Sequence, residues 1–395
     1  MSIYRGWQVV IAGVGINFLV GITYAWSIYA RGLSSELGWS QAQVALPYTV
    51  FVFCYAFSMA AAGRMQDLAG PRLTVTVGGI LIGASFILSS LFLTPGAVSI
   101  LWGLGFGIGL ACCFGSVTPA AIKWFPANRR GLITGIVVTG VGLSALLLTP
   151  LIHILVERGI AKAFFYSGVS MLIGIVSLAQ RLANPPESKN VSGLSKTGPW
   201  HQILQTPQFY LMWLMFCFTA VAGVTFTSHL DKIVRVHASF DKGYLMVILF
   251  ALFNTAGRPV AGILSDALGR SRAMTVVFSV MALDMVFVLF ANSPVLIGIA
   301  TALLGMTYGG IYTLFPAAVA SYFGQESFGL NYGLVFTALG VAGLFPLVAG
   351  YLYDLQGNYY LTFFFLFVFS LSAVVLSLLL KSPHTVADGS LQVKV

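Results

Sequence analysis

Charged side chains are scarce in this sequence. Only 8% of its 395 residues are Asp, Glu, Lys or Arg, whereas soluble globular proteins carry about 25%. The 20 Lys and Arg residues outnumber the 11 Asp and Glu residues, but they stand singly or in pairs between apolar runs and form no basic patch. The pattern excludes an ordinary soluble enzyme, a disordered regulator and a nucleic-acid-binding protein, and it is typical of a membrane protein with several spans.

Cysteine is also rare, with four residues in the chain: Cys54, Cys112, Cys113 and Cys217. All four lie in apolar runs without metal-ligand spacing, so we expect free thiols and no metal site. No nucleophile–base set is present, which argues against an enzyme, and no cofactor is implied. The N-terminus has no small-residue cleavage site, so the first apolar run is expected to remain as a helix.

Long apolar runs make up most of the sequence, of which 58% is hydrophobic. Runs of roughly 20 residues are long enough to cross a bilayer as helices. Twelve of them lie near 8–30, 43–62, 73–94, 98–123, 131–155, 162–182, 207–229, 243–264, 273–292, 294–322, 329–353 and 358–380. The sequence therefore predicts an all-α membrane protein with twelve transmembrane helices.

A polar stretch rich in Pro, Ser and Lys separates the first six runs from the last six, and its composition is typical of a linker. We therefore predict four regions. They are an N-terminal six-helix bundle over 1–183, a cytoplasmic linker over 184–206, a C-terminal six-helix bundle over 207–381 and a cytoplasmic tail over 382–395.

The basic residues of the loops predict the orientation. Thirteen of the 20 Lys and Arg residues fall on the side that holds both termini and the linker, six fall on the other side, and Arg258 lies inside a span. By the positive-inside rule both termini are then cytoplasmic. We expect a multi-pass protein of the plasma membrane, which is the inner membrane if the source is bacterial.

The two halves of the sequence resemble each other at nearly one offset. The segment 63–70 (GRMQDLAG) returns as 262–269 (GILSDALG), shifted by 199 residues. The Gly131-Leu132 pair returns as Gly329-Leu330, shifted by 198, with Gly, Thr and Gly following at matching positions. A six-helix unit repeated in parallel is how the major facilitator fold is built. Chance similarity between two apolar sequences is the alternative.

Segment 63–72 resembles the signature loop between helices 2 and 3 of the major facilitator superfamily. Segments 24–27 (YAWS), 124–135 (WFPANRRGLITG) and 254–258 (NTAGR) resemble its oxalate/formate antiporter and monocarboxylate transporter branch. The resemblance implies two six-helix bundles, with a substrate site near mid-membrane between them. It further implies that an arginine of helix 8 binds a substrate carboxylate.

Arg258 lies inside the eighth apolar run. A guanidinium near mid-membrane costs roughly 2.5–3.5 kcal/mol, so it must face a wet cavity or a partner. The repeat places Met59 at the equivalent position of the first half, so the fold itself requires no arginine here. We expect an anion site, where the planar guanidinium donates two parallel hydrogen bonds to a carboxylate. A structural ion pair with another intramembrane charge is the alternative.

Three differences from the resembling families bear on the function. Animal monocarboxylate transporters have an Asp at the position of Asn254. The Asn254 amide cannot titrate, but it can donate a hydrogen bond to a substrate oxygen, orient Arg258 or bond a neighbouring helix. Members that carry oxalate have a Lys at the position of Leu339. The animal carriers also have a Lys near Ile28, which is apolar here. One fixed cation balances one carboxylate, which favours lactate, pyruvate or acetate over oxalate.

Three other titratable residues are candidates for proton coupling. Asp284 lies in the middle of the ninth run, where we expect a structural or protonated carboxyl, with a proton site or an Arg258 partner as alternatives. His153 and His229 lie near the outer ends of the fifth and seventh runs and can titrate near neutral pH. An interface role is the alternative for both histidines.

Aromatic residues at helical spacing are predicted to shape the cavity and to supply hydroxyl donors. The candidates are Tyr24, Tyr308, Tyr312, Tyr332 and Phe336, and packing against lipid or core is the alternative for each.

The repeated cytoplasmic loops are predicted to form gate latches. The first latch consists of Gly63, Asp67, Gly70 and Arg72. Its Asp67 carboxylate accepts hydrogen bonds from a helix N-terminus of the other half. The second latch consists of Asp266, Gly269 and Arg270. The carboxylates of Asp67 and Asp266 can pair with Arg129 and Arg130, and the alternative for these two arginines is a role only as positive-inside anchors.

These features together predict a secondary transporter of a small monocarboxylate, lactate- or pyruvate-like, coupled to a proton by alternating access. The alternatives are a carboxylate exchanger of the oxalate/formate type and a membrane sensor that binds the same anion without moving it. The expected partners are the carboxylate, a proton as co-substrate and membrane lipid, without nucleic acid, and the chain is expected to be a monomer.

Overall fold

The computed structural model describes residues 2–126, 130–185, 201–323 and 328–380. Across these ranges, twelve helices are long and apolar enough to cross a membrane, and they are numbered here in chain order. They are α1 (Tyr4–Leu37), α2 (Gln41–Gln66), α3 (Leu68–Leu91), α4 (Pro95–Ile122), α5 (Leu132–Glu157), α6 (Ile160–Ala179), α7 (Pro207–Ala238), α8 (Gly243–Leu268), α9 (Arg270–Phe290), α10 (Pro294–Phe323), α11 (Asn331–Gln356) and α12 (Tyr360–Leu379). The predicted all-α fold with twelve spans is confirmed.

The spans α1 and α11 are interrupted along their length. In α1 a 3₁₀ turn over Gly21–Ala25 separates the helix Ser2–Val20 from the helix Trp26–Leu37. In α11 regular helix ends at Ala342 and resumes at Phe345. Interrupted helices are tolerated at membrane depth where they face protein or a cavity. Both interruptions therefore indicate where a polar site can lie.

The sequence repeat is matched in the backbone. Gly70 has φ 81° and ψ 163°, and Gly269 has φ 84° and ψ 161°. Only glycine adopts this region without strain. The two residues turn the chain at equivalent points, from α2 into α3 and from α8 into α9. Pro119 in α4 and Pro316 in α10 likewise occupy equivalent places.

Helices α1–α6 and α7–α12 form two bundles that meet along paired surfaces. Between the bundles, α2 packs on α11, α5 packs on α8, and α1 packs on α7. The repeat relates α2 to α8 and α5 to α11, so the first two contacts are equivalents of each other. The bundle boundaries predicted from the sequence stay a prediction, because residues 186–200 of the linker, residue 381 of the second bundle and the whole tail, 382–395, lie outside the described ranges.

One carboxylate joins the bundles on the predicted outer side. The Asp354 side chain accepts hydrogen bonds from the backbone N–H groups of Gln41 and Ala42, each at 2.8 Å. These amides belong to the first turn of α2, where the helix dipole favours an anion. The end of α11 is thereby attached to the start of α2.

Candidate functional site

A cavity of about 110 Å³ lies between the two bundles. Its lining includes side chains from α1 and α2 of the first half and from α7, α8 and α10 of the second half. The polar members are Thr23, Tyr24, Tyr48, Tyr55, Thr227, Arg258, Tyr308 and Tyr312. Since a water molecule occupies about 30 Å³ in the liquid, the cavity has room for a ligand of a few heavy atoms.

Arg258 is half-buried and lines this cavity. Its guanidinium carbon lies 5.7 Å from the centroid of the Tyr312 ring, within cation–π range. Its buried Nε has no hydrogen-bond partner, and no carboxylate in the described part of the chain pairs with the guanidinium. The structural ion pair that was the alternative for Arg258 is therefore absent from the described residues, and the charge faces the cavity.

Close packing of α8 on α10 fixes the position of Arg258. A Cβ atom at Gly257 would overlap the Met306 carbonyl, and one at Gly309 would overlap the Asn254 carbonyl. The two backbones can approach this closely only because neither glycine carries a side chain. In addition, Pro259 lacks the N–H that would bond the carbonyl four residues earlier, so the helix ladder loses one bond directly after Arg258.

A hydrogen bond crosses between the bundles beside the cavity. The Tyr24 hydroxyl of α1 donates to the Asn254 amide oxygen of α8 at 3.0 Å. Asn254 is only 1% exposed, and its amide nitrogen has no partner among the described residues. Asn254 therefore lies behind the cavity wall and orients Tyr24, which lines the cavity.

The remaining wall combines hydroxyl groups with apolar surface. The Tyr308 and Tyr312 hydroxyls are hydrogen-bonded at 2.8 Å. A Cβ atom at Gly223 would overlap the Tyr308 ring, so the absence of a side chain at Gly223 leaves room on α7 for that ring. Leu339 of α11 and Val52 of α2 supply apolar surface. The cavity thus offers one cation, several hydroxyl donors and a hydrophobic remainder.

The sequence matches the family profile of the Major Facilitator Superfamily over residues 10–345 and 233–393. The chain belongs to this superfamily. It is 30% identical to the oxalate:formate antiporter of Oxalobacter formigenes, over 86% of this chain and 83% of that protein. It is also 23% identical to monocarboxylate transporter 13 of Rattus norvegicus, over 96% of this chain and 89% of that protein.

Solved structures of two other transporters share the fold. A D-xylose-proton symporter superposes with a TM-score of 0.70 at 14% identity, covering 94% of this chain and 97% of that chain. A nucleoside transporter superposes with a TM-score of 0.73 at 11% identity, covering 94% and 98%. Relatives and structural neighbours are transporters, so this superfamily member is a multi-pass membrane transporter and not an enzyme.

The cavity brings together four of the seven residues predicted to bind substrate in this superfamily member: Tyr24, Arg258, Tyr308 and Tyr312. Asn254, Tyr332 and Phe336 are not in the lining. Phe336 packs edge-on against Tyr55 with centroids 5.7 Å apart, and against the Tyr332 ring at 5.6 Å. These two aromatics of α11 therefore support the wall from behind.

The three candidates for proton coupling lie away from Arg258. Asp284 is 2% exposed, and neither of its carboxylate oxygens has a partner among the described residues. The His153 ring lies 3.4 Å from the Glu157 carboxylate and stacks on Tyr244. None of the three lines the cavity that holds Arg258.

His229 is hydrogen-bonded at both ring nitrogens. Its Nε2 lies 2.9 Å from the Pro346 carbonyl oxygen, and its Nδ1 lies 3.1 Å from the Tyr359 hydroxyl. Because the carbonyl can only accept, Nε2 carries the proton of this bond. The contacts join α7 to α11 and to the start of α12.

The predicted gate residues make contacts within their own halves. Arg72 donates to the Gln180 side chain at 2.7 Å, which joins α3 to α6. Arg270 pairs with Asp266 at 3.1 Å. Gly63 continues α2 as regular helix, so the turn occurs at Gly70. The Asp67 and Arg130 side chains and the whole of Arg129 lie outside the described part of the structure, so the latch stays a prediction.

Helix α2 contributes to the wall, which was not predicted from the sequence. Tyr48, Phe51 and Tyr55 line the cavity at i, i+3 and i+7, which places them on one helix face. The internal repeat contained a signal for one of them, since Tyr55 occupies the place of Asn254 in the other half.

Proposed function

We propose that this protein is a secondary transporter of a small monocarboxylate, lactate- or pyruvate-like, that moves with a proton by alternating access. The observation that carries the proposal is Arg258, a cation that faces the inter-bundle cavity without an acidic partner among the described residues. A guanidinium donates two parallel hydrogen bonds to a carboxylate and thereby fixes its orientation.

The charge of the cavity supports a single carboxylate. Leu339 lies in the lining at the position where oxalate-carrying members have a lysine, so Arg258 is the one cation in the described lining. A dicarboxylate would leave one negative charge without compensation in a medium of low dielectric constant. The apolar surface of Val52 and Leu339 suits the short hydrocarbon part of a monocarboxylate.

Electrostatics across the membrane supports the coupling to a proton. Moving one anion against a potential of 100 mV costs about 2.3 kcal/mol. A proton that accompanies the carboxylate removes that cost, because the pair crosses without net charge.

The contacts between the bundles support transport by rocking of one bundle on the other around the cavity. On the predicted outer side the bundles are joined by the Asp354 contact to α2. Beside the cavity they are joined by the bond between Tyr24 and Asn254. Opening toward the outer side requires that the Asp354 contact breaks.

A carboxylate exchanger is the second candidate. It is favoured by the 30% identity to an oxalate:formate antiporter over most of both chains. Uptake that is stimulated by internal carboxylate and is insensitive to a pH gradient would favour exchange over symport.

The test is uptake of radiolabelled L-lactate by the full-length protein reconstituted in liposomes, with and without an inward proton gradient. Symport predicts accumulation that follows the gradient and is lost in Arg258→Ala. Arg158→Ala is the matched control, because Arg158 is exposed and lies away from the cavity. Uptake by Arg258→Ala at the rate of the control would overturn the proposal.

A further inference from the structure

A second cavity, of about 280 Å³, lies between α1 and α7 on the predicted outer side. Its lining includes Arg31, Asp231, Lys232 and Arg235. None of these residues lines the cavity of Arg258, and all of them lie beyond it along α1 and α7.

The second cavity carries an excess of positive charge. Asp231 is 1% exposed and pairs with Arg235 on the next turn of α7. Two cations therefore remain without a carboxylate partner among the described residues. Arg31 donates to the Asp241 carbonyl at 3.3 Å, and the Lys232 ammonium lies 5.1 Å from the centre of the Tyr353 ring. Cations at the wall of a cleft raise the local concentration of anions.

Two buried hydroxyl groups face the same space. Ser27 of α1 and Ser228 of α7 line the second cavity and are 2% and 1% exposed. Neither Oγ atom has a hydrogen-bond partner in the described part of the chain. An unpartnered buried hydroxyl is costly, and a carboxylate oxygen beside it would accept its hydrogen bond.

The two serines lie next to the cavity of Arg258. Ser27 follows Tyr24 by three residues, or about 5 Å along the helix axis, and Ser228 directly follows Thr227. Both Tyr24 and Thr227 line the first cavity. The second cavity therefore follows the first along α1 and α7, with the two serines between the two linings.

We propose that the second cavity is an antechamber that binds the carboxylate before it reaches Arg258. The inference rests on the proposed function. Arg31 and Lys232 attract the anion from the predicted outer side, and the Ser27 and Ser228 hydroxyls donate to its oxygens at the inner end. The protein then holds two anions of the same chemical class at once, one in each cavity.

The number of bound anions tests the antechamber. Equilibrium binding of radiolabelled L-lactate to the purified full chain in nanodiscs is expected to give two sites. Arg258→Ala should keep one of them, and the double variant Arg31→Gln/Lys232→Gln should lose the other. Lys162→Gln is the matched control, because it removes an exposed cation of the predicted outer side that does not line the cavity.

Uptake by the same variants gives the second readout. The double variant is expected to raise KM for L-lactate about tenfold at low ionic strength, with an unchanged maximal rate and a smaller effect at high salt. The variant Ser27→Ala/Ser228→Ala keeps every charge and should also weaken the antechamber site, which separates loss of binding from loss of folding.

The outcomes separate the two proposals. A single lactate site that disappears in Arg258→Ala, together with a KM of the double variant equal to that of Lys162→Gln, overturns the antechamber and leaves the proposed function standing. A wild-type protein that neither binds nor transports lactate overturns both.

Discussion

The Tyr24 hydroxyl donates to the Asn254 amide oxygen across the two bundles, at 3.0 Å, one helical turn from Arg258. Each partner comes from a different half of the repeat. The bond therefore links the wall of the cavity in one bundle to the helix that carries the charge in the other.

Tyr24→Phe removes the donor and keeps the ring. We expect transport to fall while the free energy of unfolding drops by about 1 kcal/mol, the usual net worth of one hydrogen bond. Lactate uptake and thermal unfolding in detergent measure the two effects. Tyr166→Phe, at an exposed tyrosine of α6, is the control. Full activity of Tyr24→Phe would show that the bond does not contribute to transport.

Leu339→Lys adds a second cation to the cavity wall. We expect the preference between lactate and oxalate to shift toward oxalate, because two carboxylates then meet two positive charges. Competition of each unlabelled acid against labelled lactate measures the preference. Leu339→Met keeps the size and the polarity and serves as the control. An unchanged preference in Leu339→Lys would contradict the inference that cavity charge selects the substrate.

Asp354→Ala removes the contact that joins α11 to α2. We expect a stability loss of about 1 kcal/mol, as for other helix caps, and a shift of population toward the form open on the predicted outer side. Labelling of a Thr23→Cys reporter in the cavity by an impermeant thiol reagent measures that opening.

The control for Asp354→Ala is Asp241→Ala. This variant removes an exposed carboxylate on the same predicted side that does not cap a helix in the described part of the chain. Equal labelling rates in the two variants would rule out a gating role for Asp354.

Gly309→Ala places a methyl group against the Asn254 carbonyl. We expect a loss of about 1–3 kcal/mol in stability, the usual cost of overpacking, together with reduced transport because Arg258 shifts with α8. The control is Gly298→Ala on the same helix, where the nearest atoms lie at 3.6 Å or more. A melting temperature of Gly309→Ala equal to that of the control would show that α8 can move away from α10.

Asp284→Asn tests whether the buried carboxyl of α9 carries the proton. Since Asp284 lies outside the cavity lining, we expect uptake and its dependence on the proton gradient to persist, with stability unchanged or raised because no buried acid remains. Uptake with and without the gradient measures this. Loss of the pH dependence with intact exchange would instead make Asp284 the proton carrier.

The fold could be predicted from the sequence because membrane helices need long apolar runs. The repeat was visible for a related reason, since Gly70 and Gly269 must both be glycine to make the same turn. Arg258 was predicted because a charge inside an apolar span is costly and must face a wet cavity or a partner. All three signals come from the free-energy cost of placing a residue type in a given backbone conformation or in the membrane. None of them depends on the direction of a side chain.

Other parts of the site could not be read from the sequence. An aromatic residue in an apolar span is compatible with lipid, core or cavity, so Tyr48 and Tyr55 were missed and Phe336 was placed in the lining. Asp231 and Asp354 were missed because charges near the ends of spans are common. Only the packing of the helices shows that the first is buried and the second binds another helix.

The Asp354 contact has a consequence for how the protein tolerates substitution. Its donors are main-chain amides of Gln41 and Ala42, which every residue except proline supplies. Side chains at these two positions can therefore be exchanged without loss of the attachment, whereas the acceptor depends on a single carboxylate. The attachment of α11 to α2 is therefore insensitive to side-chain substitution in α2 and sensitive to substitution of Asp354 in α11.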